Sequence, residues 1–570
     1  MAVKAGNEAV KVMKSYGINK VFGIPGDSIN NIVESLREEK EDIDFIQVRH
    51  EEVGALAASA YAKLTGNIGT CLSIGGPGAI HLLNGLYDAK ADSVPVLVLA
   101  GQVPRDSIGK DSFQEVNLEK MFDDVAVFNK RVDSPESFPG LVQQAIREAY
   151  ANKGVSVLVI PDDVPTVKID GTNLGATDTY EPVLTPSEEH LKKTHQYLRE
   201  AKRPVILAGT GTRHAKEELE QFAEKLAAPI IFALPAKGTL PDQHPYNLGQ
   251  LGQIGTKPAY EAMEETDLLI MIGTSFPYRD FLPDDTKAVQ IDNNPSQIGK
   301  RYPVTLGLVG DAKHTLKALA NGMDEKEDRE FLKACQENMK NWWNHIERDE
   351  EPTTPIKPQQ VIPNIQKVME KDAIISVDVG NVTVWAARHL RLTQQKMIVS
   401  SWMATMGCGL PGAIAGKLAY PERQVVAICG DGGFSMVMQD FLTAVKYELP
   451  IMFVVFNNQR LGMIKYEQQE QGNLDYVTEL QDMDYGKFAD AAGGKGYRVT
   501  SGEDLERVFR EASGQTVPVI IDVVLEEQPP LPGKIPIGQA VSYSKYMMKR
   551  FFKDYEVDMP PLKNSLKRLL

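Results

Sequence analysis

The chain has 570 residues, 42% hydrophobic and 24% charged, with a formal net charge of −15, a composition typical of a globular protein with enough chain for about three or four domains. The acidic balance excludes nonspecific nucleic-acid binding, and no apolar run reaches the roughly 18 residues of a membrane span. Cys71, Cys335, Cys408 and Cys429 lie far apart and Met1 to Glu8 lacks the apolar core of a signal peptide, so reduced thiols and a cytoplasmic location are expected.

Taken in order, Lys20–Gly23, Asp44–Val48, Gly69–Ile74, Pro95–Ala100 and Ser156–Ile160 are short apolar strands separated by helical patterns, the spacing of βαβ units. A polar, turn-rich stretch from about Asp170 to Ser187 reads as a linker. A second α/β set follows at Pro204–Ala208, Pro229–Ala233, Leu268–Ile272 and Ala288–Asp292. The acidic run Glu347–Glu351 and the Thr353-Thr-Pro-Ile-Lys-Pro segment read as a second linker. The expectation is three doubly wound parallel-sheet α/β domains, 1–182, 183–345 and 355–530, followed by a tail over 531–570. From Lys534 onward the tail has eight Lys or Arg against three Asp or Glu. Its charge and its Met, Phe and Leu residues suit reversible contact with an anionic bilayer, or docking over the chain's own site or a neighbour.

In the last domain, Val425–Cys429 runs into Gly430-Asp431-Gly432-Gly433, and Ile451–Phe456 runs into Asn457-Asn458. Two oxygen ligands thus sit at the ends of neighbouring strands, where parallel sheets bind ligands. Gly432 and Gly433 let backbone N–H groups approach a phosphate, and Mg²⁺ shares oxygen ligands with phosphates. Either half alone reads as an ordinary turn. The 27-position spacing from Asp431 to Asn458, with a strand leading into each, favours a Mg²⁺-diphosphate site.

This pairing resembles the thiamine-diphosphate enzymes. Val48-Arg49-His50-Glu51-Glu52-Val53-Gly54-Ala55 resembles the segment carrying that family's catalytic glutamate, with Glu51 at the matching position; the plainer reading is a carboxylate complementing a helix dipole. Asp111-Ser-Phe113-Gln114-Glu115-Val-Asn117, Gly75-Gly76-Pro77-Gly78 and Trp402 to Gly412 look like pyruvate oxidases. The resemblance implies catalytic or active-site wall roles for Glu51, Phe113, Gln114, Ile464 and Glu467. It implies cofactor contacts at Val379, Gly380, Asn381, Met406, Gly432 and Gly433, although Met406 also reads as core packing. Metal ligation is implied at Asp431, Asn458 and Arg460, the last through its backbone carbonyl.

In the middle domain, Gly209-Thr-Gly211, Gly273-Thr274-Ser-Phe276-Pro277-Tyr278, Gln290-Ile-Asp292-Asn293 and Gly310-Asp311-Ala312 resemble FAD-binding segments. Asp292 at a strand end suits a ribose hydroxyl or, alternatively, a helix N-cap before Pro295. The cofactors implied are thiamine diphosphate, Mg²⁺ and FAD. The plan is similar to the quinone-reducing pyruvate oxidases, which implies oxidative decarboxylation of pyruvate to acetate and CO₂ through hydroxyethyl-thiamine diphosphate, with electrons passing via FAD to a membrane quinone. It also implies a tail that contacts lipid reversibly at the inner face of the cell membrane. A homo-oligomer is implied too, a dimer at least, because in this family the glutamate and the Gly-Asp-Gly site come from different subunits; a tetramer is the expectation, with a dimer left open. The rivals are a phosphate- and O₂-dependent oxidase making acetyl phosphate and H₂O₂, and acetolactate synthase. A scaffold without activity is disfavoured by Glu51, Asp431 and Asn458 occurring together.

Overall fold

The computed structural model describes residues 2–171 and 183–529; the tail and most of the first linker lie outside the described residues. Three six-stranded sheets form the frame. In the first, the strands Asp44–Gln47, Lys20–Gly23, Gly69–Ser73, Val96–Gln102, Val155–Pro161 and Ala126–Arg131 pair in that spatial order, all parallel. The second runs Asn247–Gln250, Ile230–Phe232, Pro204–Ala208, Leu268–Ile272, Lys287–Asp292 and Leu306–Val309, again all parallel. The third runs Lys396–Ile398, Ile374–Val377, Val425–Gly430, Ile451–Asn457, Val519–Val524 and Lys495–Val499, also parallel. The fold is therefore three parallel-sheet α/β domains. A short antiparallel ribbon pairing Ala2–Lys4 with Lys168–Asp170 stands outside these sheets.

Central strands such as Val96–Gln102 and Ile451–Asn457 are buried along their whole length, as strands covered by helices on both faces must be. The edge strand Ala126–Arg131 ends in Asn129-Lys130-Arg131 and is only partly buried, which is why its composition did not stand out in the sequence. The second linker is not free. Glu350 accepts from His389 Nδ1 at 3.0 Å and from Arg391 Nη2 at 3.2 Å, so the acidic run is docked on the third domain.

The first and third domains share one apolar core. The Glu51–Thr65 helix packs on the Gly409–Ala419 helix, and Ala55, Ala58, Leu86, Ile374, Leu410 and Ala413 belong to one buried cluster. A small residue helps at this contact, since a Cβ on Gly416 would lie 3.5 Å from Leu64 Cδ1, and within the first domain a Cβ on Gly85 would lie 2.5 Å from Leu56 N and one on Gly69 2.0 Å from Ala58 O. The middle domain is tied to the third through Arg388. Its buried guanidinium donates to the carbonyls of Gln253, Ile254 and Gly255, and burial lowers its pKa to about 10. These ties bring the C-terminal strand ends of the second and third sheets to one shared space.

Candidate functional site

A single cavity of about 790 Å³ lies where the three domains meet. On the third-domain side, adjacent parallel strands are registered so that Gly430 pairs with Phe456, which sets Asp431 beside the Asn457-Asn458 turn. Asp431 is 4% exposed. Its Oδ1 accepts its neighbour's N–H from Gly432 at 2.8 Å, and its Oδ2 accepts the Gln459 N–H at 2.6 Å. Asn458 Oδ1 accepts the Arg460 N–H at 3.1 Å. Burial pushes the Asp431 carboxyl up to about 6, against the pull of those N–H groups. A carboxylate, an amide oxygen and backbone carbonyls are the donors a hard divalent cation takes, and a cation would offset that desolvation. The Arg460 guanidinium points elsewhere, pairing with Glu479 at 2.5 Å.

Polar atoms without partners lie on the cavity wall at Asn381 and just behind it at Asp378. Both Asn381 Oδ1 and Nδ2 are buried and unbonded, as is Asp378 Oδ2. A Cβ on Gly462 would lie 2.4 Å from Asn381 Nδ2 and 3.3 Å from Asn458 Nδ2, so that glycine lets the two amides converge. Gly380 has φ +128° and nothing within 4 Å of a built Cβ, a backbone only glycine adopts easily. Over Gly432 sit Met406 Cε and Leu461, at 3.2 and 2.9 Å from a built Cβ. An orphaned amide, an open glycine turn and a buried carboxylate fit a polar, charged ligand such as a metal-bound diphosphate.

Asp378, directly before the Val379-Gly380-Asn381 turn, was not singled out in the sequence. Its Oδ1 accepts the N–H of Val379 at 2.7 Å and of Gly407 at 2.8 Å, and its carboxylate would stand 2.7 Å from a Cβ on Gly433. One buried carboxylate thus braces the turns at Val379 and Gly407 and packs against Gly433. Burial raises its pKa from 3.8 to about 6. A folded value above the unfolded one means that the native state holds the proton more tightly. Its contribution is therefore favourable below the unfolded value and is lost as the pH rises through 6. Relative to Asp378→Asn, the ligand-free wild type should lose up to about 3 kcal/mol between about pH 4 and about pH 7. Denaturant melts of both proteins at the two pH values measure this; a constant difference would show that the carboxyl is not perturbed.

The middle domain supplies the opposite wall. Gly209, Gly273, Thr274, Pro277 and Tyr278 line the cavity, and Gly211 packs on Gly273 with 2.8 Å from a built Cβ to its Cα. Tyr278 is 53% exposed. Arg213, which sequence reading missed, lines the same wall and donates to the Pro235 carbonyl. Asp292 and Asp311 do not line the cavity. Asp292 Oδ1 accepts the Asn294 N–H at 2.8 Å, while Asn294, not Asp292, caps the turn at Pro295. Asp311 caps the Ala312–Asn321 helix through the His314 N–H and also meets His214 Nε2 at 2.7 Å; bonds from His314 and His214 outweigh burial and hold its pKa down to about 2.

Val379, Gly380, Asn381, Met406, Ile464 and Glu467 line the cavity with Asp431, Gly432, Gly433, Asn458 and Arg460. Glu51, Phe113 and Gln114 do not. In the first domain, Glu51 and Gln114 approach the turn at Gly76 and Gly78, and Phe113 precedes Gln114. Glu51, 9% exposed, opens its helix behind the N-cap His50. Its Oε2 is 3.0 Å from His81 Nδ1, and its Oε1 would lie 2.9 Å from a Cβ on Gly78. Gly76, at φ +59° and ψ −118°, lets the Gln114 carbonyl approach to 2.7 Å of a built Cβ. Gln114 is itself at φ +60°, and beside it Phe113 is 83% exposed. Glu52 has a structural role, accepting from Asn84 Nδ2, which also donates to Thr405 Oγ1 next to Met406.

Three family models match in order: thiamine pyrophosphate enzyme N-terminal TPP binding domain at residues 3–121, central domain at 191–319, and C-terminal TPP binding domain at 378–523. The protein named "Putative thiamine pyrophosphate-containing protein YdaP" of Bacillus subtilis is 59% identical over 568 residues, 99% of each chain. Pyruvate oxidase of Lactiplantibacillus plantarum is 40% identical, over 99% of this chain and 96% of its own. Acetolactate synthase large subunit of Corynebacterium glutamicum is 31% identical, over 95% of this chain and 89% of its own.

Proposed function

The chain belongs to the thiamine pyrophosphate enzyme family, and from that premise we propose that it is an FAD-linked pyruvate oxidase that makes acetate and CO₂ and delivers electrons to a membrane quinone. One observation carries the reading: a single cavity runs from Asp431 and Asn458 to the Gly273–Tyr278 turn, so a diphosphate-anchored cofactor and a flavin can share one continuous space. In this reading Asp431, Asn458 and the Arg460 carbonyl hold Mg²⁺ on the diphosphate. Asn381, Gly432 and Gly433 border the phosphates, and Met406 seats the ring system over Gly432. The bound thiamine supplies the carbanion chemistry that no side chain provides.

The chain's own part is orientation and exclusion of water. Ile464 and Glu467, on the Gly462–Glu470 helix, border the place for pyruvate. Gly209, Gly273, Thr274, Pro277 and Tyr278 seat the flavin. Glu51 presents a shielded carboxyl to the aminopyrimidine. Because Glu51, Phe113 and Gln114 stand apart from the cavity of their own chain, the reading has a second copy supply them, which makes the working unit a homo-oligomer. The tail, 531–570, would bring the oxidase reversibly to lipid at the inner face of the membrane.

The test is to add pyruvate anaerobically to the purified protein loaded with Mg²⁺, thiamine diphosphate and FAD, and to follow the flavin spectrum. Bleaching is expected, followed by reoxidation on adding quinone in anionic lipid vesicles, with truncation of 531–570 slowing that second step. A flavin that never bleaches would refute the oxidase reading. Fast reoxidation by O₂ with phosphate, together with quinone turnover indifferent to the truncation, would assign the phosphate-dependent reaction instead.

A further inference from the structure

We propose that His81 is a positioning residue for Glu51, holding its carboxyl through Nδ1 and exchanging a proton with it. The inference rests on the reading of Glu51 as the acid that meets the cofactor's aminopyrimidine.

The geometry divides the two carboxyl oxygens. Oε2 is engaged by His81 Nδ1 at 3.0 Å, whereas Oε1 faces the space that Gly78 keeps clear, 2.9 Å from where a Cβ would stand. One oxygen is therefore anchored and the other is left for a ligand. Exposure divides the pair as well: the Glu51 side chain is 11% exposed and that of His81 is 44% exposed. That exposure is the single chain's, before a second copy is placed against Glu51; the imidazole itself is the side chain suited to exchange a proton with a carboxyl near neutral pH. Its ring is held in place. His50 stacks on it with centroids 4.4 Å apart and planes at 28°, and His50 Nδ1 accepts the Glu52 N–H at 3.3 Å. The charged neighbour on that helix is Glu52, whose Oε2 is 3.9 Å from His50 Nδ1.

The transfer balances with no partner beyond water. A proton taken up at His81 Nε2 accompanies release of the Nδ1 proton to Glu51 Oε2, and the reverse sequence returns it. A fixed carboxyl also loses less on meeting its ligand, since misplacement by about 1 Å can cost on the order of 100-fold in rate.

The experiment uses the holoenzyme with Mg²⁺ and thiamine diphosphate and no pyruvate. Exchange of the thiazolium C2 proton for deuterium is read by quenched NMR, and cofactor affinity by quenching of intrinsic fluorescence. His81→Phe keeps a ring against His50 and removes both nitrogens; His81→Asn keeps a donor near Nδ1; His81→Ala leaves room for added imidazole. His81→Phe is expected to slow exchange about 10- to 100-fold and to weaken cofactor affinity about threefold to tenfold. His81→Asn should recover most of the affinity, and imidazole should restore exchange to His81→Ala. Exchange and affinity in His81→Phe within about twofold of wild type would overturn the proposal. So would losses that neither His81→Asn nor imidazole repairs, because they would mark a packing role. Exchange needs neither pyruvate nor flavin reduction, so a wild type that exchanges normally but never bleaches its flavin refutes the oxidase reading and leaves this one standing.

Discussion

Replacing Glu51 by Gln is expected to abolish pyruvate-driven flavin bleaching, a loss of at least about 10³-fold, while the protein remains folded and binds its cofactors. The amide has almost the same volume and its oxygen can still accept from His81 Nδ1, which contacts Oε2 at 3.0 Å. It cannot give up and recover a proton at that oxygen. The measurement is the first-order rate of bleaching beside the dissociation constants of thiamine diphosphate and FAD; bleaching at the wild-type rate would remove Glu51 from the chemistry. A mixing experiment tests the two-copy site as well. Glu51→Gln and Asp431→Ala damage opposite halves, so a dimer carrying one of each has one site with both defects and one intact site. Random reassembly into twofold-symmetric dimers should recover about a quarter of wild-type activity. No recovery on mixing, with subunit exchange verified, would mean that each chain builds its site alone.

Asp242→Ala is expected to destabilise the protein by about 3–5 kcal/mol, the cost of leaving a buried charge without its partner. The Asp242 and Lys237 side chains are 3% and 1% exposed and their charged atoms are 2.6 Å apart. Burial pushes Asp242 up and Lys237 down, and the attraction between them works against both shifts. Asp242 Oδ2 also accepts the Leu392 N–H at 2.7 Å and its own N–H donates to the Leu392 carbonyl at 2.9 Å. The middle domain is thereby clamped to the third beside the cavity. Removing the carboxylate strands Lys237 and leaves a buried N–H unpaired. Denaturant unfolding measures the loss. A double variant, Lys237→Met with Asp242→Leu, should regain much of it, since apolar residues of similar volume replace a buried ion pair at little cost; a single variant as stable as wild type would show that the pair is solvated in solution.

Several features were open to a reader of the sequence because they are local. A central strand buried on both faces is a run of apolar residues, so Val425–Gly430 and Ile451–Asn457 stood out, and three α/β sheets followed. The polar residues that end those strands were equally visible. Register between neighbouring parallel strands then turns a spacing of 27 positions into proximity, and Asp431 lies beside the Asn458 turn. The edge strand Ala126–Arg131, with its polar end at Lys130 and Arg131, and the docked acidic run at Glu350 escaped, because clustered charge reads as surface whether or not it is paired.

Roles that arise between distant segments were hidden. Nothing in Ile374-Ile-Ser-Val-Asp378 says that this carboxylate braces the turns at Val379 and Gly407. Nor does the sequence tell that His81, 30 positions from Glu51, is its partner, or that Asp292 and Asp311 stand off the cavity that Gly273 and Tyr278 line. By itself the sequence determined the sheets, the glycine turns and the residue types at strand ends, since backbone preference and burial act within a few residues. Only the tertiary structure decided which of those ends share a space and which polar atoms remain unpaired, because hydrogen bonding and desolvation are settled by neighbours that the chain brings together only when it folds.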